Sequence, residues 1–374
     1  MRILFNNIGK TKNYLENVEL LYSNYELFRQ KHFSKLCLGL LEPIFPSSKL
    51  FLTHSATGAL EMIALMLDLE KGDEIIMPSF TFVSTANAFV SKGAHAVFVD
   101  IEPNSLNIDL DKIEAAITPR TKAIIAVHYA GHACDLNRLK EICQKHNIFL
   151  IEDAAMSFGN KYQGQSLGSV GDFGVISFDI TKQISAVQGG LLIVNNTKFK
   201  ERAGNIYHIG TNRDAFMEGS APYYEWVDVG SKFQINELNA VALYDQLGQY
   251  ETILAHRNRL SLLYFRQLNS LAIEGKFNLI HEQFLDENYH EFYILLHSEN
   301  ERKQLSAFLL QKGIESMFHY IPLHTSLKGK SFGTMQLANT SKISETLLRL
   351  PLHTEMDVEE VMYITKHIKA FFNE

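Results

Sequence analysis

A chain of 374 residues, 46% hydrophobic and 21% charged, is long enough for one large core and a smaller one, because single cores stop growing at about 250–300 residues, and such a composition excludes disorder. A formal charge of −7 without a lysine- or arginine-rich block excludes a general nucleic-acid surface, so an anionic ligand must be held by local donors. Met1 to Lys10 lack a long apolar core and no uncharged apolar run of about 18 residues occurs, so neither a signal peptide nor a membrane span is expected and a soluble, cytoplasmic protein is. Cys37, Cys134 and Cys143 are too scattered for a disulfide framework or a zinc site, which fits a reducing compartment and no bound metal.

Residues 1–48 carry helical stretches such as Tyr14 to Tyr22 but no chemical motif. From Leu50 the pattern sharpens. An apolar run, Leu50 to Thr53, leads through His54-Ser55-Ala56-Thr57-Gly58-Ala59 into an apolar helix, Leu60 to Leu69. Small residues opening a helix let backbone N–H groups point at an anion, so this is a candidate phosphate seat; an N-cap by Ser55 or Thr57 is the alternative. Strands follow at Glu74 to Met77, His95 to Asp100 and Lys122 to Val127, with helices at Ala86 to Ser91, Leu110 to Ile117 and Asn137 to His146 between and after them. This alternation predicts an α/β fold built on a mostly parallel sheet with right-handed crossovers. Phe82, at the end of a strand, is placed to stack on a flat ring.

The next strand, Ile148 to Ile151, ends in Glu152-Asp153-Ala154-Ala155, and a later one, Val175 to Phe178, runs into Asp179-Ile180-Thr181-Lys182. Open α/β sheets place their chemistry at the carboxyl ends of such strands. An acid and a lysine there suit pyridoxal phosphate, which takes a lysine amine as a Schiff base and a carboxylate beside its pyridine nitrogen. A buried Asp–Lys ion pair is the plainer alternative. Gln188-Gly189-Gly190 then opens a strand, Leu191 to Asn195, where glycine permits close backbone approach. Asn236 to Leu268 reads as long helical structure bridging two domains. The remainder predicts a small α+β domain: a strand, Glu291 to His297, a helix, Glu301 to Lys312, a strand ending in His319 to His324, and a helix, Val358 to Phe372. The expected organisation is an N-terminal segment, 1–48, a large domain, 49–250, and a small C-terminal domain, 251–374.

Together these motifs resemble the pyridoxal-phosphate-dependent sugar aminotransferases of the DegT/DnrJ/StrS type, and among them most closely the TDP-4-oxo-6-deoxy-D-glucose transaminases. The resemblance runs from Leu50 to the end. It is carried by Ser55 to Met62, Met77 to Phe89, Val127 to Gly131, Glu152 to Ala155, Ser177-Phe178 with Thr181-Lys182, Gly210 to Arg213, and His319 to His324. It implies the aspartate aminotransferase-like fold (fold type I). It makes Lys182 the Schiff-base lysine, Asp153 the partner of the pyridine nitrogen, and the backbone of Thr57 and Gly58 with the Ser177 hydroxyl the phosphate site. Phe82 becomes the stacking ring. Met156 and Gln234 are further cofactor contacts, and His319, Tyr320, His324 and Arg213 lie toward a sugar nucleotide. L-Glutamate is the implied amino donor, a nucleotide-diphosphate keto sugar the acceptor, and a homodimer with shared sites the implied assembly, with Arg213 and the segment around Gln234 reaching the neighbouring subunit. Three positions depart from the family pattern: Met156 stands where Gln or His is usual and cannot donate a hydrogen bond, and Asp179 and Gln188 replace family residues. These leave open a 3-oxo sugar aminotransferase, or an impaired pyridoxal-phosphate-binding regulatory homologue, as alternatives to an enzyme for TDP-4-oxo-6-deoxyhexoses.

Overall fold

The computed structural model describes residues 2–279 and 288–373. Seven strands form the main sheet: Lys49–Thr53 (β1), Glu74–Pro78 (β2), His95–Val99 (β3), Thr121–Val127 (β4), Phe149–Asp153 (β5), Phe173–Ser177 (β6) and Gly190–Val194 (β7). Their order across the sheet is β1-β7-β6-β5-β4-β2-β3. All run parallel except β7, which is antiparallel to both β1 and β6. Every residue of β2, β6 and β7 is buried, as uninterrupted apolar runs require when helices cover both faces. One core layer includes Leu52, Ile124 and Leu191 on one face of the sheet; the other includes Ile63, Ile125 and Leu192.

Because β7 runs backwards, its first residue, Gly190, lies opposite both Thr53 and Ser177 at the carboxyl ends of β1 and β6. The loops that follow β1, β2, β5 and β6, and the one that enters β7, thus open on one edge of the sheet.

The expected long bridge is two helices, Glu237–Leu247 and Tyr250–Ile273, parted at Gly248-Gln249. Beyond it a three-stranded antiparallel sheet forms from Asn278–Leu279 (β8), Phe292–Leu295 (β9) and Leu347–Leu350 (β10). Helices Glu299–Gln311 and Val358–Asn373 bury their apolar sides against it. The strand expected to end in His319 to His324 reduces to a single bridge, Met317 with Arg349. Pro322 has no N–H to give a ladder, and Leu323–Thr325 forms a short 3-10 turn instead.

Residues 3–13, unreadable as sequence, form a strap. Ile3 pairs with Ile314, and Glu315 Oε2 accepts the Phe5 N–H at 3.0 Å. Farther along, Glu355 accepts the Lys10 N–H at 2.9 Å and Asp245 the Asn13 N–H at 3.2 Å. Helices Tyr14–Ser23 and His32–Leu41 follow, the second fixed by a Glu237 carboxylate that accepts the Phe33 N–H at 2.8 Å.

Candidate active site

A cavity of about 610 Å³ opens at the carboxyl edge of the main sheet, between it and the small sheet. Its floor starts at the helix Ala56–Met66. Ser55, extended, caps this helix by accepting the Gly58 N–H on its Oγ at 3.0 Å. The capping reading holds for Ser55, which takes the Gly58 donor, while the N–H groups of Ala56 and Thr57 have no partner among the described residues and lie at the positive end of an 11-residue helix. The Thr57 hydroxyl donates to Ser84 Oγ at 2.8 Å. Two glycines let this turn sit where it does. A Cβ on Gly190 would lie 2.4 Å from the Ala56 nitrogen, and one on Gly58 2.8 Å from the His54 ring. Ser177, the last residue of β6, adds a hydroxyl to the same cavity.

Asp153 and Lys182 both line the cavity. Asp153 ends β5, 7% exposed, and its carboxylate is fixed from two sides: Thr85 Oγ1 donates to Oδ2 at 2.7 Å and the Ala155 N–H donates to Oδ1 at 3.2 Å. Thr81 donates in turn to Thr85 at 2.9 Å, a relay that leaves Thr85's own proton for the carboxylate. Lys182 follows a turn stapled by Asp179, whose Oδ1 accepts the Thr181 N–H and hydroxyl at 3.1 and 3.0 Å. Burial pushes the Lys182 amine below its ordinary pKa, against the pull of the Glu291, Asp153 and Asp179 carboxylates.

Phe82 and Met156 form walls, Phe82 as the exposed residue that opens the helix Val83–Val90. His319 and Tyr320 close the far side with their rings stacked 3.7 Å apart. Burial lowers the His319 pKa and raises that of the Tyr320 phenol, so both are uncharged near neutrality. Sequence reasoning missed the rest of that side: His290 and Glu291 just before β9, Arg349 in β10, Glu315, and Phe5 and Asn6 of the strap. One signal was present, an arginine inside the apolar run Leu347-Leu348-Arg349-Leu350, which is a buried charge wherever that run is a strand.

Four expected residues lie outside the cavity lining of their own chain, and the first, Gly58, has its N–H, expected to hold a phosphate, taken by Ser55 instead. His324 is buried against Ser79, whose Oγ lies 2.7 Å from its Nδ1. Gln234 Nε2 donates to the His208 ring at 2.8 Å, and Arg213 is exposed at the start of the helix Arg213–Met217.

The donor set fits pyridoxal phosphate. Helix-start N–H groups without a partner among the described residues and the Ser177 hydroxyl suit a phosphate, a fixed carboxylate suits a protonated ring nitrogen, and a lysine whose burial lowers its hold on a proton suits an aldehyde carbon. Comparison with known proteins agrees. A protein of Methanocaldococcus jannaschii, MJ1066, uncharacterised, is 30% identical over 358 residues, 93% of this chain and 89% of that one. The structure of Helicobacter pylori PseC, an aminotransferase involved in the biosynthesis of pseudoaminic acid, superposes with a TM-score of 0.90 at 24% identity over 100% of both chains. The PLP form of Spr1654 from Streptococcus pneumoniae does so with a TM-score of 0.86 at 25% identity, over 99% of this chain and 98% of that one. The family match spans residues 49–369, and with the cavity's donor set it places this chain in the DegT/DnrJ/EryC1/StrS aminotransferase family, as a pyridoxal-phosphate-dependent aminotransferase.

Proposed function

We propose that this enzyme moves an amino group from L-glutamate to a nucleotide-diphosphate-linked keto-deoxy sugar, with a TDP-4-oxo-6-deoxyhexose as the favoured acceptor, and so makes an amino sugar for a surface polysaccharide or a related product. The observation that carries this reading is one cavity holding Lys182, Asp153 and the open helix start on its floor and a separate polar wall of His319 and Tyr320 above. When bound, the cofactor supplies a ring that takes up the electron pair left at a carbon stripped of its proton.

The chain's residues do the rest. Ala56 and Thr57 N–H groups and the Ser177 hydroxyl hold the phosphate. Asp153, locked by Thr85 and Ala155, keeps a proton on the ring nitrogen. Phe82 covers the ring, and Met156 packs beside it without donating a hydrogen bond. Lys182 Nζ, with its proton affinity lowered by burial, would take the proton from the donor's α-carbon and return it to the carbon on the other side of the transferred nitrogen. The Tyr320 phenol, kept protonated by burial, donates to a sugar hydroxyl, and His319 lies beside it. The reverse sequence delivers the amine to the keto carbon of the sugar.

In this reading the enzyme works in the cytoplasm as a homodimer, each site completed by its neighbour. Arg213 and Gln234, which lie outside their own chain's cavity, are then supplied across the interface. Large apolar side chains left exposed near them and near the cavity, among them Tyr223, Trp226, Ile180 and Val187, support this.

The test is incubation with glutamate and a panel of 3-oxo and 4-oxo TDP-sugars, with products identified by NMR and Lys182→Ala as control. A 4-amino product that vanishes in the variant is expected. A 3-amino product alone overturns the choice of acceptor, and cofactor binding without turnover on any acceptor overturns the reading as an active enzyme.

A further inference from the structure

The cavity has a charged wall to which the steps above assign no part. Glu291, just before β9, and Arg349, in the neighbouring β10, meet where these strands pair, and Arg349 Nη1 donates to Glu291 Oε1 at 2.6 Å. The pair is 6% and 8% exposed. The Arg349 guanidinium also lies 4.7 Å from the centre of the Phe5 ring, and its Nε has no hydrogen-bond partner among the described residues. Glu291 Oε2 is 3.2 Å from His319 Nδ1. Burial works to raise the Glu291 pKa, yet Arg349 and His319 hold it well below the usual carboxylate range, so Glu291 is ionised. Both side chains line the cavity, and charges this enclosed reach a group across it with little screening.

The groups facing Lys182 come from five places: Asp153 from β5, Asp179 from its own loop, His290 and Glu291 from the start of β9, Arg349 from β10, and His319 and Tyr320 from the turn above. His290 and His319 are driven to the neutral form, by burial first and by the positive charge of Lys182 as well. Tyr320 stays a neutral phenol. Asp153 is committed to Thr85 and the ring nitrogen, and Asp179 to its own turn. Glu315, on the same wall, is committed to the Phe5 N–H and to Arg2; what remains is one negative and one positive charge, joined to each other.

We propose that Glu291 and Arg349 are opposed positioning residues for the proton on Lys182: Glu291 holds that proton on the nitrogen, and Arg349 limits how firmly it is held. A lysine that must first take a proton and then give it back needs both influences, since either charge alone would leave it stranded in one state. This inference rests on Lys182 being the lysine that bears the cofactor.

The test is the pH titration of the visible absorbance of the cofactor-loaded enzyme, which reports the proton on the Lys182 nitrogen. It is run on the parent, Glu291→Gln, Arg349→Gln and the double variant. The midpoint is expected to fall in Glu291→Gln, to rise in Arg349→Gln, and to return toward the parent in the double variant, with the acid limb of the kcat/KM profile moving in the same directions. A purely structural pair would shift neither midpoint, or both the same way, and either result overturns the proposal. Should Glu291→Gln fail to fold, Arg349→Gln and the double variant, which leaves no charge unpaired, still decide it: a midpoint in Arg349→Gln at or below that of the double variant overturns it. Absence of a Lys182-dependent visible band in the parent overturns the underlying reading as well, whereas a band without opposed shifts overturns this inference alone.

Discussion

Asp153 is useful because it cannot turn. Thr85 and the Ala155 N–H hold its two oxygens, and Thr81 orients Thr85 in turn. A hydrogen bond to a charged group is worth about 1.5–3 kcal/mol, so Thr85→Val is expected to weaken cofactor retention by roughly tenfold or more while the fold persists. Equilibrium dialysis of pyridoxal phosphate checks this, and unchanged retention would show that Thr85 is dispensable. At this scale the sequence was informative where chemistry is local. Asp153 and Lys182 each end or follow a buried run, and their neighbours name them. Glu291 and Arg349 are 58 residues apart and meet only because two strands pair, so nothing near either in the chain announces the other. His324 shows the converse: it belongs to a recognisable motif, yet its ring is spent on Ser79.

Among the elements, the meeting of β7 with the helix Ala56–Met66 sets the shape of the helix start to which the proposal assigns the phosphate. Gly190→Ala would press a methyl to 2.4 Å from backbone. The expected cost is about 1–3 kcal/mol of stability, in the range of overpacking, together with weakened cofactor binding as the helix start is displaced. Gly39→Ala offers the contrast. Nothing lies within 4 Å of its added Cβ, inside the helix His32–Leu41, so a gain of about 0.5–1 kcal/mol is expected from helix propensity. Denaturant unfolding of both variants distinguishes the two. The strands of the main sheet could be read because each is a compact apolar run between turn signals. The reversal of β7 could not, since a strand buried on both faces looks the same in either direction. β10 was missed for another reason: the helix Ala338–Thr346 passes directly into Leu347 with no glycine or proline to mark the change.

Across the whole molecule, buried histidines give the fold a sensitivity to acid. Burial, followed by Arg257, lowers the His353 pKa to about 4, and His290 and His319 are lowered too. The unfolded chain takes up these protons near pH 6.5 while the folded one refuses them, so it binds more protons in between and stability rises with pH through the window. Acidifying from pH 6.5 toward 4 is therefore expected to destabilise the protein, with His353 alone contributing on the order of 2 kcal/mol. His353→Gln should flatten the dependence of Tm on pH across this range; an unaltered slope would remove His353 from the account. The strap sets a second property at this scale. Asp245→Ala frees its Asn13 end, and the expected result is a raised KM for the sugar acceptor with the visible spectrum of the bound cofactor unchanged, measured by steady-state kinetics and absorbance.

That strap is fastened in good part by its own backbone, beside the buried Ile3 side chain and the Asn13 and Lys10 side-chain contacts to Asp245 and Glu355. The amides of Ile3, Phe5, Lys10 and Asn13 make the attachments, and such attachments do not depend on which side chain the residue carries. Positions 5 and 6, which line the cavity, can consequently vary without loosening those backbone attachments, though a change at position 5 also gives up the ring that lies over Arg349. An exchange at either position is therefore expected to alter which acceptor fits while the strap stays fastened and the Lys182 side of the cavity is left as it is.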